Sequence, residues 1–181
     1  SSDERVPVSA MSKALAGGLK AELDDILYQE DLHTKIRTEA QVGNVEALRK
    51  LLQDNPLSAL DLSDSPALSM SAILDCLKTQ PALINLDLSG HPELRATHLI
   101  EIAQYCPALQ ILWLKHMPHL RDIESVTFPA LQFLNVSGSL QLERLMITAP
   151  QLKQLFAKGC SQLNKLQIES TVFQCLDARG C

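Results

Sequence analysis

The sequence is poor in aromatic residues and has no surplus of positive charge. Aromatic residues make up only 4% of its 181 residues, so a folded core must be built from aliphatic side chains. The net charge of −5 lacks the basic excess that displaces counterions from nucleic-acid phosphates. No apolar run approaches the roughly 20 residues that span a bilayer. We therefore expect neither a nucleic-acid partner nor a membrane partner.

Clustered cysteines and catalytic motifs are also missing. The five cysteines are odd in number and scattered, which is not the pattern of a disulfide framework. No Cys-x-x-Cys or His-x-x-x-His pair predicts a zinc site, and His116 and His119 are interpreted as turn residues. No phosphate-binding loop and no Ser-His-Asp combination can be assembled. We expect a cytoplasmic protein with reduced thiols that is not an enzyme and takes no cofactor, metal or small-molecule substrate.

Leucine is the residue that the sequence has in abundance. There are 33 leucines, and 25 of them lie from Leu57 onward. They form six blocks of the pattern L-x-x-L-x-L, whose first positions are 26, 26, 22, 21 and 21 residues apart. Such regular spacing predicts a chain of structural repeats. The blocks begin at Leu57, Leu83, Leu109, Leu131, Leu152 and Phe173.

Each block predicts one strand. Its fourth and sixth positions lie on one face of the strand, and the residues between them face the other way. A single strand cannot bury its leucines alone, whereas stacked parallel strands bury a continuous column. Residues 57–181 resemble leucine-rich repeats (LRRs), which implies an α/β solenoid with a curved parallel sheet on its concave side.

Repeat length predicts what lies behind the sheet. The 26-residue repeats have room for a convex helix, with Ser71 and Thr97 as predicted N-caps. The shorter repeats cannot hold a full helix, and we expect extended or 3₁₀ segments there. These segments carry a second motif, at Leu142/Leu145/Ile147 and Leu163/Leu166/Ile168.

The position three residues past each strand is Asn or Cys in LRR proteins, where its side chain satisfies backbone groups of the turn. Cys160 and Cys181 fit the cysteine variant, and Met117 predicts a looser turn. The sequon Asn135-Val136-Ser137 falls within a predicted strand, so we interpret it as a chance match. The six positions hold Ser65, His91, Met117, Ser139, Cys160 and Cys181.

Two subfamilies share features with these repeats. The stretch from Thr97 to Leu112, with its helix and Cys-Pro junction, resembles the cysteine-containing repeats of F-box LRR proteins. The 21-residue repeats are similar to short bacterial LRR variants. The first resemblance implies substrate recognition for ubiquitin ligases. The second implies an effector that binds host proteins in the host cytosol.

The segment before the repeats predicts helices. We divide the chain into a disordered tail or cloning remnant (1–9), an all-helical N-terminal cap (10–55) and about six repeats (56–181). Apolar spacing predicts one helix through Leu15–Leu27, a second from about Asp31 to Gln41, and a third from Val45 to about Asn55. An ankyrin-like repeat and an F-box are the alternatives to a cap. We expect the last repeat to be incomplete and the chain to continue beyond Cys181.

The outward positions of the strands predict the binding surface. Ile111, Trp113, Phe133 and Phe156 fall on neighbouring strands and would form one exposed apolar patch. Acidic residues flank this patch on one side and basic residues on the other, which is typical of a protein interface. The predicted protein-binding residues are Asp61, Asp87, Ile111, Trp113, Lys115, Phe133, Asn135, Phe156 and Lys158.

These features favour a protein-interaction module that binds a partner protein through its concave face. Substrate recognition in ubiquitin ligation or a bacterial effector role follows from the resemblances alone. Two alternatives remain: a non-catalytic recognition fragment of a ubiquitin ligase whose catalytic domain lies outside this sequence, and a structural scaffold. The sequence leaves the partner and the oligomeric state open.

Overall fold

The structure, a computed structural model, describes residues 20–181. The chain forms two compact units, Ser1–Lys35 and Ile36–Cys181. The expectations for residues 1–9 and for the start of the first helix lie outside the described residues. Within residues 20–181 no helix is long and apolar enough to cross a membrane.

The N-terminal helices differ from the prediction in one respect. The predicted helices on either side of residue 30 are one helix, α1 (Lys20–Val42). Neither Gly nor Pro lies at the junction to interrupt it, and the ion pair between Lys35 and Asp31 (2.9 Å) stabilises that stretch. Gly43 ends α1 in a left-handed conformation, and α2 (Val45–Asp54) follows, as predicted.

A buried glutamine joins α2 to the first repeat. Gln80 accepts a hydrogen bond from Leu57 N (2.8 Å) and donates one to Leu52 O (2.8 Å). Because Gln80 is 2% exposed, both the oxygen and the NH₂ group of its side-chain amide need these partners. Arg49 of α2 also pairs with Asp75 of the next helix at 3.2 Å.

The concave sheet has the predicted parallel order and register. Its six strands pair in the order β1-β2-β3-β5-β7-β9, with equivalent block positions opposite each other. Leu60 lies beside Leu86, and Leu86 beside Leu112. The strands are β1 (Ala59–Asp61), β2 (Asn85–Asp87), β3 (Ile111–Trp113), β5 (Phe133–Asn135), β7 (Gln154–Phe156) and β9 (Cys175–Asp177).

The convex side changes from helix to strand along the chain. Helices α3 (Met70–Leu77) and α4 (Ala96–Tyr105) lie in the 26-residue repeats. A second parallel sheet of order β4-β6-β8 follows, which confirms the extended prediction for the short repeats. Strand β4 comes from the 22-residue repeat, which has no second leucine motif. The three strands are β4 (Asp122–Thr127), β6 (Arg144–Thr148) and β8 (Lys165–Glu169).

The predicted helix caps are wrong by two residues. Helix α3 is capped by Ser69, whose side chain accepts from Ala72 N at 3.1 Å. Ser71 and Thr97 both lie inside their helices, because each helix begins earlier than the apolar pattern indicated. Arg95 occupies the cap of α4, and its backbone N–H donates to His98 Nδ1 at 3.0 Å.

The core is the leucine column behind the concave strands. Leu60, Leu86, Leu112, Leu134 and Leu155 occupy the same block position and are all at most 2% exposed. In the last repeat of the sequence the equivalent residue, Leu176, is 45% exposed. Burial of the column therefore depends on a neighbouring structural element on each side of a repeat, and Leu176 has one on the β7 side only.

The turn after each strand repeats as well. The residue before the Asn/Cys position has positive φ in every repeat, from 49° at Asp64 to 79° at Gly90. His116 adopts this conformation (54°), so its interpretation as a turn residue is confirmed. The looser turn expected at Met117 is wrong, because Met117 is buried and its N–H donates to Ser139 Oγ at 3.2 Å.

Serine and cysteine side chains link successive turns of the shorter repeats. Each donates a hydrogen bond to the backbone carbonyl of the sixth residue of the preceding block, which is the last buried residue of that block. The hydrogen bonds are Ser139 Oγ to Leu114 O (3.0 Å), Cys160 Sγ to Val136 O (3.2 Å) and Cys181 Sγ to Ala157 O (3.0 Å). This confirms the turn role predicted for Cys160 and Cys181.

A candidate binding surface on the concave sheet

Three aromatic rings lie in contact across the concave sheet. Trp113, Phe133 and Phe156 belong to β3, β5 and β7, and we call them the aromatic strip. The ring centroids of Trp113 and Phe133 are 4.8 Å apart, and those of Phe133 and Phe156 are 5.3 Å apart. All three are half-buried, and Ile111 lies beside Phe133 in register. The alternation of side chains along a strand places the strip opposite the leucine core.

Trp113 is held by a hydrogen bond that the sequence did not reveal. Its indole Nε1–H donates to Asn85 Oδ1, on the neighbouring strand β2, at 3.0 Å. A Trp whose N–H is satisfied and whose ring packs against Phe133 keeps one orientation. The surface therefore presents a fixed indole ring to a ligand.

A row of glutamines borders the strip. They line a shallow depression of about 360 Å³ together with the aromatic rings. Gln110, Gln132 and Gln174 each follow the first residue of a block, and Lys153 holds this position on β7. The recurrence of Gln at that position is visible in the sequence, but the outward strand positions alone do not include it. The lining residues are Gln110, Ile111, Trp113, Gln132, Phe133, Lys153, Gln154 and Gln174.

The predicted polar site residues have local structural partners. Oδ1 of Asp61, Asp87 and Asn135 accepts a hydrogen bond from the backbone N–H two residues ahead, at 2.9 Å in each case. Such Asx turns end the strand and leave less of each side-chain oxygen available to a ligand. Asp61 also lies 3.5 Å from Arg37 and two strands away from Trp113.

The predicted basic residues are free of ion pairs. Lys115 and Lys158 follow β3 and β7, and among residues 20–181 neither has a carboxylate within salt-bridge distance. Arg179 instead pairs with Asp177 at 2.7 Å, and hydrogen bonds from Arg179 lower the pKa of Asp177 to about 2. Lys115 and Lys158 are therefore available to an acidic ligand.

Nothing in the described residues favours covalent or metal chemistry at this surface. Burial raises the pKa of the Cys76 and Cys106 thiols to about 11, so both are protonated at neutral pH. Cys175 is exposed on β9. Within residues 20–181 no group of three His, Cys, Asp or Glu side chains could hold a metal ion.

In-register parallel strands, repeated left-handed turns and a helical N-terminal region define an LRR-type solenoid. No family model matches the chain, and no curated protein matches it. Among solved structures it is similar to a chain of the "Crystal structure of TLR13-ssRNA13 complex", with 16% identity and a TM-score of 0.32. The match covers 74% of this chain and 32% of that one, so this chain spans about a third of the other's length. The fold assignment rests on the strand order and register.

Proposed function

We propose that the protein is an interaction module that binds a partner protein through the concave sheet around Trp113. The observation that carries this proposal is the aromatic strip, three touching rings on a face that makes no contribution to the leucine core. Exposed apolar patches of this kind mark interaction sites. Trp is enriched among residues that dominate binding energy, and an apolar centre with a charged rim is typical of protein interfaces.

Two narrower roles rest on sequence resemblance. The stretch from Thr97 to Leu112 supports substrate recognition for a ubiquitin ligase, and the 21-residue repeats support an effector that binds host proteins. A recognition fragment of a larger ligase is compatible with the first role, and the full-length gene would test it. The absence of paired cysteines supports a cytoplasmic location, since all five are free thiols.

An affinity pull-down from a lysate of the source cells tests the proposal. We compare the wild type with a Trp113→Ala/Phe156→Ala variant and identify the captured proteins by mass spectrometry. Truncating two interface anchors typically removes ~2 kcal/mol or more each, so the specific partner should be lost. Ile100→Ala/Leu140→Ala is the matched control, because it removes exposed apolar side chains outside the strip.

The melting temperature of each variant shows whether folding is intact. If Trp113→Ala destabilises the sheet, the single variant Phe156→Ala replaces it, since Phe156 lies at the end of the strip and contacts one ring. Loss of the same proteins with both strip variants, and not with the control, supports the proposal. Equal capture by all variants would show that the concave strip is not the binding surface.

A further inference from the structure

We propose that the bound segment is an extended, acidic stretch of polypeptide that carries leucine or aromatic side chains. This inference rests on the proposed function and specifies the chemistry of its ligand. The apolar side chains would lie on the aromatic strip, and the acidic side chains would reach Lys115 and Lys158. Four observations support it: the local charge, the hydrogen bonds that already occupy the acidic residues, the row of glutamines and the contacts between the rings.

The four blocks that contain β3, β5, β7 and β9 are locally basic in a protein of net charge −5. They carry four basic side chains and a single carboxylate, Asp177, which Arg179 already neutralises. Complementary charge steers a partner of the opposite sign to such a surface. The four basic side chains are Lys115, Lys153, Lys158 and Arg179.

A basic ligand would have to bind near β1 and β2, whose carboxylates already have hydrogen-bond partners. There Asp61 accepts hydrogen bonds from both the backbone N–H and the hydroxyl of Ser63, and it lies 3.5 Å from Arg37. Asp87 accepts from Ser89 N. Carboxylates with these partners attract a further cation less strongly than unpaired ones would, so the surface favours an acidic ligand.

The glutamine row suits an extended backbone. A glutamine amide both donates and accepts, as the peptide groups of an extended segment do. Gln110, Gln132, Lys153 and Gln174 come immediately before successive strands of the sheet, so their spacing is about 4.8 Å. Gln154 adds an amide beside Phe133 within the same depression. A segment that crosses the strands would find a hydrogen-bonding group at each of them.

Single-stranded nucleic acid also combines negative charge with apolar rings, and its bases stack on aromatic side chains. The strip is less suited to it, because the rings of Trp113, Phe133 and Phe156 already touch one another and leave no gap for a base. The rings are also tilted by 52° and 37°, so they present no common flat face. We therefore favour a peptide and retain an oligonucleotide as an outcome of the test.

Selection from a random dodecapeptide library displayed on phage, with the whole chain as bait, tests the inference. Enriched peptides are synthesised, and their affinities are measured by fluorescence anisotropy at low and high salt. We expect them to be net negative and to contain leucine or aromatic residues, with affinities that fall as salt rises. Oligothymidylate is added as a competitor.

Two charge-reversal variants are compared. Lys115→Glu/Lys158→Glu should weaken binding about tenfold, because two attractive contacts become repulsive. Lys50→Glu/Lys165→Glu makes the same charge change at exposed positions on α2 and β8 and should bind like the wild type. All variants should keep the melting temperature of the wild type, since these four lysines form no ion pair with any other residue in the range 20–181.

The outcomes separate the inference from the proposed function. Enriched peptides that are neutral or basic, yet are lost with Trp113→Ala/Phe156→Ala, would overturn the inference and leave the proposed function standing. Recovery of no peptide that depends on Trp113 and Phe156 would also overturn the inference, whereas the proposed function itself is contradicted by equal capture of proteins by all variants in the pull-down. Tight oligothymidylate binding that displaces the peptides would also overturn the inference, in favour of nucleic acid.

Discussion

The two halves of the solenoid share one concave sheet and differ behind it. Helices α3 and α4 lie behind the first strands, where repeats are 26 residues long, and strands β4, β6 and β8 lie behind the later ones. The change occurs where α4 packs against β4. Repeat length thus determines whether a helix or a strand lies on the convex side. The concave strands keep the same parallel register on both sides of the change.

The halves also differ on the concave face. The first two strands present Asp61 and Asp87, which end their strands in local turns. The next three present the aromatic strip. Both sets occupy positions that face away from the leucine core, so the core does not restrict which residue is found there. Residues at these positions can therefore differ between the halves, and serve binding, without disturbing the fold. Variants in each half test this difference.

The largest effect is expected in the shared core. Leu86→Ala, in the helix-backed half, and Leu134→Ala, in the strand-backed half, should each cost ~2–5 kcal/mol of unfolding free energy. Leu176→Ala, at the same block position but 45% exposed, should cost only ~1 kcal/mol. Urea denaturation measures all three. Markedly unequal values for Leu86→Ala and Leu134→Ala would show that the convex element, not the block position, sets the core energetics.

A smaller effect is expected in the turns of the strand-backed half. Ser139→Ala leaves Leu114 O and Met117 N buried without their partner, at a cost of ~1–3 kcal/mol. Ser139→Cys should cost less, because Cys160 fills the same position in the next repeat. Denaturation curves of the two variants check this order. If both variants were as stable as the wild type, the side-chain links between turns would not matter.

The smallest effect is expected at the helix caps of the helix-backed half. Ser69→Ala removes the hydrogen bond to Ala72 N and should cost ~1 kcal/mol. Thr97→Ala, at a position that the sequence suggested as a cap, should change stability by less than ~0.5 kcal/mol. Thermal unfolding of both variants distinguishes them. A larger effect at Thr97 than at Ser69 would mean that the helices begin where the sequence pattern placed them.

The sheet could be predicted because its signal is repeated. The alternation of buried and outward residues predicts where each strand lies. The same alternation in all six blocks predicts which residues pair across the sheet, and it places Trp113 and Phe156 on the face opposite the leucine core. Repeat length alone predicted an extended segment where β4 lies, but not the bulge within it, where Ser125 adopts a positive φ of 57°. A motif that relies on regular alternation cannot anticipate a bulge.

The details of the site depend on contacts between strands that sequence spacing does not encode. The hydrogen bond between Trp113 and Asn85 joins residues 28 apart. The engagement of Asp61 and Asp87 by nearby backbone groups is local and could have been recognised as an Asx turn. The cap of α3 was misplaced because Ser69 and Ser71 lie on either side of its first residue, and that of α4 because Arg95, which caps it, is not a residue type that favours this position.

Photo-crosslinking tests the central claim most directly, that partners bind on the concave face at the aromatic strip. A benzoylphenylalanine is incorporated in place of Gln154, on β7, or in place of Gln167, on the convex strand β8; both glutamines are exposed. Irradiation in a lysate of the source cells should yield protein adducts from position 154, and these should disappear with Trp113→Ala. Equal adducts from both positions, or adducts from position 167 alone, would contradict the account.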